Sequence, residues 1–163
     1  IKETLLPHPA LLATLLPALA MGAHAGPAAA DPETAREIIA LERDALERGA
    51  RGEVDVFVEL SEPDVVYFDP FIERRIDGRE ALREYYRKIF RPPQEEFAIE
   101  LVNPNVQLIG DAAVLTFNFR STGRSTGRTE RWNCTEVFRK TARGWRIVQT
   151  HWSWTLPQLA PAK

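Results

Sequence analysis

The stretch NPNVQLIGDAAVLTFNFR at residues 103–120, followed by TERWNCTEVFRKTARGWRIVQTHWSW at residues 129–154, decides the fold. Apolar and polar residues alternate along each run, as in strands that have one buried face. Turn residues at Gly110-Asp111 and Ala142-Arg143-Gly144 interrupt the alternation, which predicts tight connections between antiparallel neighbours. Long strands joined in this way form a curved antiparallel sheet, and helices that cover its concave face enclose a pocket.

Helical signals lie upstream of these strands. Asp31 is a good N-cap and Pro32 suits the first helical position, so a helix is predicted from there to Gly49. Asp77 and Glu80 have the spacing of a capping box, which predicts another helix start. Other predicted elements are a short helix at 54–60, a strand at 65–68, and a bulge or bend at Asn103-Pro104 within the extended segment 97–109. Helices followed by a long-stranded sheet predict one α+β domain.

Composition and charge narrow the class of protein. The 163 residues are 44% hydrophobic and 27% charged, as in an ordinary globular domain. The net charge is −2 and the two signs are interleaved, so neither nucleic acid nor an anionic membrane is an expected partner. Cys134 is the only cysteine, which excludes an internal disulfide. A buried hydrophobic role for this thiol is favoured over that of a nucleophile with His151 as its base.

Residues 1–30 differ from the rest of the chain. Leucine pairs recur without any charge after Glu3, and Ala23-His24-Ala25 places small residues where a signal peptidase cleaves. We expect a secretory signal cleaved after Ala25, a short disordered leader to residue 30, and a periplasmic or secreted domain at residues 31–163 with no membrane contact. A disordered leader and an uncleaved anchor are the alternatives, although prolines within the run argue against a spanning helix.

Four groups of residues resemble the nuclear transport factor 2-like superfamily. They are Asn103-Pro104-x-Val106 through Gly110-Asp111-Ala112-Ala113, Thr135-x-Val137-Phe138, Phe68-Asp69-Pro70 before the Asp77-Gly78 helix start, and Gly144-Trp145 through His151-x-Ser153. They are most similar to the association domain of calcium/calmodulin-dependent kinase II and its bacterial stand-alone, SnoaL-like relatives. They resemble polyketide cyclases and ketosteroid isomerases less. The resemblance covers nearly all of residues 31–163 and implies a cone-shaped α+β roll of the cystatin-like kind, with N-terminal helices over the concave face of the sheet.

The resemblance also implies a ligand pocket in the cone. In the kinase association domain, arginines on the two middle strands bind carboxylate ligands, and the matching positions here are Phe119 and Glu136. Arg120 is adjacent, but it lies on the opposite face of its strand. We therefore expect a neutral or cationic small organic ligand. The predicted pocket residues are Tyr67, Tyr86, Phe117, Phe119 and Trp132.

Three side chains are candidates for acid–base catalysis. His151 is predicted to point inward and pair with Glu136, a carboxylate–imidazole arrangement suited to proton transfer near neutral pH. Asp69, near Tyr67 at the mouth of the cone, has the chemistry to remove a proton next to a carbonyl group, as the superfamily's isomerases do. Each has a structural alternative: His151 satisfying a buried polar group, and Asp69 capping the turn before Pro70.

Tryptophans at the end of the last strand predict an interface. If His151 faces inward, Trp152 and Trp154 share the outer face of the sheet, where Asn118 and Arg120 also lie. Because exposed aromatic surface is unusual on a monomer, we expect a homodimer or higher oligomer. Coverage by the C-terminal tail is the alternative.

The residues leave three functions open. A secreted homo-oligomer that binds a small organic ligand is favoured, since no redundant catalytic set is present. The alternatives are a cofactor-free isomerase, cyclase or dehydratase that uses Glu136–His151 or Asp69, and a purely structural assembly module. Neither a metal nor a cofactor is expected, because His151 is the only histidine outside the leader and the chain has no phosphate-binding glycine loop.

Overall fold

A computed structural model describes residues 28–90 and 95–155. The predicted leader up to residue 27 lies outside this part of the chain, as does the C-terminal tail from residue 156. The helices are α1 Pro32–Ala50, α2 Asp55–Leu60 and α3 Arg79–Ile89. The strands are β1 Ala28–Ala29, β2 Ser61–Phe68, β3 Ile76–Asp77, β4 Phe97–Ile109, β5 Ala112–Gly123, β6 Thr129–Thr141 and β7 Gly144–Trp154. No helix within the described ranges has the length and apolarity needed to cross a membrane.

The first helix begins where its capping signals predict. The Asp31 carboxylate accepts hydrogen bonds from the backbone N–H groups of Glu33 and Thr34, at 3.1 and 3.0 Å. These bonds satisfy donors that a helix start leaves free. The helix continues one residue past the predicted end at Gly49. There, an added Cβ would lie 2.7 Å from the ring of Phe57, so glycine allows α2 to pack closely against α1.

The capping box predicted for α3 is wrong. Gly78 is the N-cap, with a φ of 92°, and no side chain caps this helix. Asp77 belongs instead to the short strand β3, and its carboxylate pairs with Arg75 at 2.7 Å. The positive φ explains the difference, because it is a conformation that glycine adopts without strain and that moves the preceding side chain away from the helix axis.

The predicted α+β class is confirmed, but the sheet also contains one parallel pair of strands, which was not predicted. Its strand order is β1-β4-β5-β6-β7-β2-β3, and it is curved and unclosed. Strands β4 to β7 form the antiparallel meander read from the sequence. Strand β2, however, pairs parallel with β7, with Phe68 opposite His151. The sheet is therefore mixed, and the first long strand lies beside the last one.

Two bulges set which residues face inward. In β4 the register shifts between Val102 and Asn105, and Asn103 has a φ of 52°, which confirms the predicted irregularity at Asn103-Pro104. In β7, Ile147 lies opposite Phe138 while Gln149 lies opposite Val137, so Val148 is an extra residue. Because side chains alternate along a strand, one extra residue reverses the facing of everything that follows it.

The core lies between the helices and the concave face of the sheet. Its largest fully buried apolar side chains come from both layers: Ile38, Leu82, Leu115, Phe138 and Ile147. Burying a side chain of this size stabilises the fold by about 1.5–3 kcal/mol. Packing of this kind anchors the helices to the sheet.

Candidate functional site

A cavity of about 420 Å³ opens between the helices and the concave face of the sheet. Leu46, Gly49 and Ala50 of α1 form one side of it, together with residues of α2 and α3. Because Gly49 lets the Phe57 ring approach the helix backbone, the close contact between α1 and α2 shapes this wall. The volume lies within the roughly 300–1,000 Å³ typical of small-molecule sites.

Aromatic side chains dominate the lining of the cavity. The helical layer, β2 and the loop after it contribute Phe57, Tyr67, Phe71, Tyr86 and Phe90. The other strands contribute Phe97, Phe119, Trp132 and Trp152. Rings in this quantity offer a flat organic molecule a large apolar contact area.

Asp69 is the polar centre of the cavity. Its Oδ2 accepts hydrogen bonds from the hydroxyl groups of Tyr67 and Tyr85, at 3.0 and 2.5 Å, and its Oδ1 accepts one from the backbone N–H of Phe71 at 2.8 Å. The residue is only 8% exposed and lines the cavity. Asp69 therefore caps the turn at Pro70, which was the alternative role predicted for it. It also presents a carboxylate to the cavity.

The two tyrosines stay protonated as donors to this carboxylate. Burial raises the pKa of Tyr67 far above its usual value, and the neighbouring Tyr86 and the Asp69 charge add to the shift. Burial and the hydrogen bond to Asp69 also raise the pKa of Tyr85. A hydroxyl that already donates to a carboxylate has no second proton to donate. The arrangement therefore fixes the position of Asp69 and leaves neither hydroxyl free to stabilise an oxyanion.

A second polar group lies deeper in the fold, outside the cavity lining. Glu136 on β6 and Glu42 on α1 are neighbours in the interior, and both are completely buried. Thr150 donates to Oε1 of Glu136 at 3.0 Å. Burial raises the pKa of Glu136 to about 7 and that of Glu42 well above its ordinary value, where the Glu136 charge also contributes. Near neutral pH the pair therefore holds at least one proton.

His151 does not pair with Glu136. Strand register places Thr150 opposite Glu136 and places His151 opposite Thr135, so the imidazole and the carboxylate lie on opposite faces of the sheet. His151 is exposed on the convex face, and its ring lies 6.0 Å from that of Phe68. The extra residue Val148 is the physical reason, because without it the alternation that buries Trp145 and Ile147 would bring His151 inward.

Four of the five predicted pocket residues line the cavity: Tyr67, Tyr86, Phe119 and Trp132. The fifth, Phe117, is buried behind it, with its ring 5.6 Å from that of Trp152. Trp132 and Phe119 face each other across strands β5 and β6, which gives the sheet wall its aromatic surface. No bulge interrupts the pairing of these two strands, so alternation keeps Phe119 and Trp132 on the inward face.

The prediction that Trp152 and Trp154 lie on the outer face of the sheet is wrong. Trp152 lines the cavity, and Trp154 contacts Trp132 and Phe71 at the mouth, with ring centroids 5.3 and 5.2 Å apart. The convex face instead carries Asn118 and Arg120, as expected. Asn118 donates to Asn133 at 2.7 Å, and Arg120 pairs with Glu100 at 3.1 Å. The reversal at Val148 accounts for both misplaced tryptophans.

Sequence reasoning missed Glu42, one of the two buried carboxyl residues outside the cavity lining. It lies four residues after Ile38 and three before Ala45, both of which are fully buried. This spacing places a carboxyl group in the centre of the apolar stripe of α1, which is the signal that could have found it. Its neighbour in the facing sheet layer is Glu136, so both burial and a like charge raise the pKa of the Glu42 carboxyl group.

Cys134 is a buried residue of the core. It is 3% exposed and lies opposite both Phe117 and Trp152 in neighbouring strands. Burial raises the pKa of its thiol well above the usual value, and the nearby Glu136 adds to the effect. His151 points to the other face of the sheet, so it is not available as a base. No cluster of metal-ligating side chains occurs in the part of the chain that the structure describes.

Comparison with solved structures identifies similar folds. A provisionally assigned ketosteroid isomerase from Parabacteroides distasonis is 43% identical, with a TM-score of 0.64 over 74% of this chain and 87% of that one. The CaMKII hub of S. rosetta is 25% identical, with a TM-score of 0.63 over 77% and 98%. A nuclear transport factor 2-like protein of unknown function from Pseudomonas putida is 16% identical, with a TM-score of 0.68 over 81% and 95%.

Comparisons that use the sequence alone identify the family of the chain. No curated protein sequence matches the chain. The family model for the SnoaL-like domain matches residues 38–157, which span α1 to the end of the sheet. That range contains the aromatic cavity, Asp69 and the buried carboxyl pair. The chain therefore belongs to the SnoaL-like domain family, within the nuclear transport factor 2-like superfamily.

Proposed function

We propose that this protein is a non-catalytic binding domain for a small, flat, largely apolar organic molecule. The observation that carries the proposal is the open cavity of about 420 Å³, whose walls are mainly aromatic and whose polar centre is Asp69. Sites of this type use apolar walls for affinity and a few fixed polar groups for orientation. The aromatic walls would hold the body of the ligand, and Asp69 would orient its polar end.

The organisation of Asp69 favours binding over turnover. Both tyrosine hydroxyls next to the carboxylate donate to it, and the backbone N–H of Phe71 binds its other oxygen. A base that removes a proton from carbon works best beside separate donors that stabilise the developing oxyanion. Tyr67 and Tyr85 are committed to Asp69 instead, so the site fixes a carboxylate without offering a second group to an enolate.

Tryptophan fluorescence tests the binding proposal. A naphthalene alcohol of suitable size is expected to quench or shift the emission of the wild-type protein with saturable dependence on concentration, because Trp132 and Trp152 line the cavity. Trp152→Ala should weaken binding at least tenfold. Trp145→Phe is the matched control, since Trp145 is buried beside Lys140 and does not line the cavity. Saturable binding that is insensitive to Trp152→Ala would place the ligand elsewhere.

An isomerase is the second candidate, favoured by the presence of Asp69 in the cavity and by the similar protein from Parabacteroides distasonis. In this reaction Asp69 would take the proton from the carbon between a carbonyl and an alkene, and return it to the far end of the resulting dienolate. The double bond would move into conjugation, with no cofactor required. Absorbance at the wavelength of the conjugated ketone measures it. Turnover that Asp69→Asn abolishes would favour this function over binding alone.

Self-association through the convex face of the sheet is a further part of the proposal. One row of residues crosses four strands there, from Thr116 through Thr135 and His151 to Phe68, and Phe68 is 37% exposed. Mixed polar and apolar surfaces of this kind are common at interfaces. Native mass spectrometry should find a dimer or larger assembly, and Thr135→Lys should dissociate it. A monomer at micromolar concentration would contradict this part.

Export is proposed on the character of residues 1–25 alone. If the segment is a signal peptide, the mature chain would begin at Gly26, two residues before β1 joins the edge of β4. Expression of the chain with a start codon in a bacterium, followed by N-terminal sequencing of the periplasmic fraction, tests this. A protein that stays in the cytoplasm with its leader intact would contradict it.

A further inference from the structure

We propose that the ligand of the aromatic cavity carries a protonated amine that binds Asp69. This inference rests on the proposed binding function and specifies its ligand class. The only charged residues among the described residues of the lining are Asp69 and Glu130, and both are acidic. No lysine, arginine or histidine of the described chain lines the cavity. The electrostatic potential inside it therefore favours a cation over a neutral or anionic group.

Asp69 is the anchor because its charge has no counter-ion in the described protein. No basic nitrogen lies within 4.0 Å of its carboxylate in this part of the chain, although the residue is only 8% exposed. The tyrosine hydroxyls stabilise the carboxylate but leave its net charge in place. A buried charge without an opposite charge destabilises a fold, and a ligand that supplies one recovers that free energy on binding.

Glu130 does not have the same role. It is an exposed residue at the rim, and its carboxylate already pairs with Arg128 at 2.8 Å. Solvent and salt weaken the attraction of such a group for any ligand. The preference for a cation should therefore depend on the buried carboxylate and not on the rim.

Aromatic rings next to Asp69 would receive the same cation. Phe71, whose backbone N–H binds Asp69, places its ring 6.0 Å from Trp132 and 5.2 Å from Trp154. The Tyr67 ring, on the other side, carries a hydroxyl that donates to the carboxylate. Aromatic faces attract an ammonium group, and the effect grows where water is excluded. The carboxylate and the rings would thus act on one end of the ligand.

The hydrogen-bonding capacity of Asp69 narrows the class of amine. A carboxylate has about four acceptor positions. The two on Oδ2 are used by the tyrosines, and one on Oδ1 is used by Phe71. One position on Oδ1 is left for a donor, so the ligand is expected to carry at least one N–H. Primary and secondary amines with an aromatic body satisfy this, and quaternary ammonium compounds do not.

Isothermal titration calorimetry with matched probes tests the inference. The probes are 2-(1-naphthyl)ethylamine, its N,N,N-trimethyl derivative, 2-(1-naphthyl)ethanol and 3-(1-naphthyl)propionate, each titrated into the full chain at pH 7. The primary amine should bind at least tenfold more tightly than the alcohol, and the propionate should bind least. The trimethyl derivative should be weaker than the primary amine because it cannot donate to Oδ1.

Variants separate this inference from the binding function itself. Asp69→Asn should reduce the preference for the amine over the alcohol from at least tenfold to within threefold. Asp44→Asn removes an exposed carboxylate of α1 outside the cavity lining and should leave the amine preference unchanged. Alcohol binding equal to or tighter than amine binding in the wild-type protein overturns the amine inference and leaves the proposed function standing. Failure of every probe to bind overturns both.

Discussion

The carboxyl groups of Glu42 and Glu136 are neighbours in the interior of the protein, with both residues essentially inaccessible to solvent. Thr150 donates a hydrogen bond to Oε1 of Glu136, and the other three carboxyl oxygens of the two residues have no hydrogen-bond partner among the described residues. Such a pair is stable only while at least one of the two groups is protonated, because two adjacent buried negative charges repel each other. This links the stability of the fold to pH.

Stability is expected to fall as the pH rises from about 5 to 8. Burial raises the pKa of Glu136 in the folded state from its ordinary value of 4.5 to about 7. A raised carboxyl pKa means that the folded state holds the proton more tightly, so this contribution is complete below pH 4.5 and is lost by about pH 7. Over that interval the free energy of unfolding should drop by roughly 2–3 kcal/mol.

Urea denaturation at pH 5, 6, 7 and 8 measures this slope. The double substitution Glu42→Gln with Glu136→Gln removes both titrating groups and keeps the amides able to hydrogen-bond, so its slope should be nearly flat. Glu47→Gln, at an exposed position of the same helix, is the control and should retain the wild-type slope. Equal slopes in the wild type and the double variant would show that the pair does not titrate in this range.

Replacement of His151 should distinguish ligand binding in the cavity from self-association through the convex face of the sheet. His151→Ala is expected to leave the affinity for the naphthalene alcohol unchanged within a factor of two, because the imidazole is exposed on the convex face. The same variant should alter self-association if that face is the interface. Calorimetry and native mass spectrometry report the two effects independently. A tenfold loss of ligand affinity would mean that the imidazole reaches the cavity.

Cys134 is expected to be chemically inert in the folded protein. Its side chain is 3% exposed and its thiol pKa is raised by burial, so little reactive thiolate is accessible. Ellman's reagent should label less than a tenth of the protein in an hour at pH 8 and all of it in 6 M guanidinium chloride. Rapid labelling of the native protein would be evidence for an activated nucleophile.

The hydrogen bond from Tyr85 to Asp69 should be measurable by a double-mutant cycle. Tyr85→Phe removes one donor from a partly buried carboxylate, and hydrogen bonds to charged groups contribute about 1.5–3 kcal/mol. Asp69→Asn and the double variant complete the cycle, with denaturation midpoints as the measurement. We expect a coupling energy of at least about 1 kcal/mol. Additive single effects would mean that the two groups act independently.

Much of the fold could be predicted from the sequence because its signals are local. Asp31 caps α1 through its own side chain, and the pairing of β5 with β6 after the turn at Gly110-Asp111 is uninterrupted. The family resemblance implied the pocket, and the alternation along β5 put Phe119 on its inward face. The parallel pairing of β2 with β7 was not predicted, since a buried strand has the same residue pattern in either orientation.

The candidate site was predicted less well because one extra residue in the last strand reverses the face to which all later side chains of that strand point. Ile147, Val148, Gln149 and Thr150 are all acceptable strand residues, and neither glycine nor proline marks the bulge among them. Without that mark, continuous alternation assigns His151 to the inside and Trp152 to the outside. A bulge of this kind is specified by contacts with β6 and β2, which are distant in sequence.

The position of β7 between β6 and β2 governs the order in which the chain can be assembled. The segment that completes the sheet is the last of the described strands to leave the ribosome, and the early strand β2 has no lasting neighbour before then. Loop-closure entropy opposes such a distant pairing until the meander is in place. Nascent chains should thus remain unfolded until β7 has emerged from the ribosome, which a stalling series with β7 inside or outside the exit tunnel would detect.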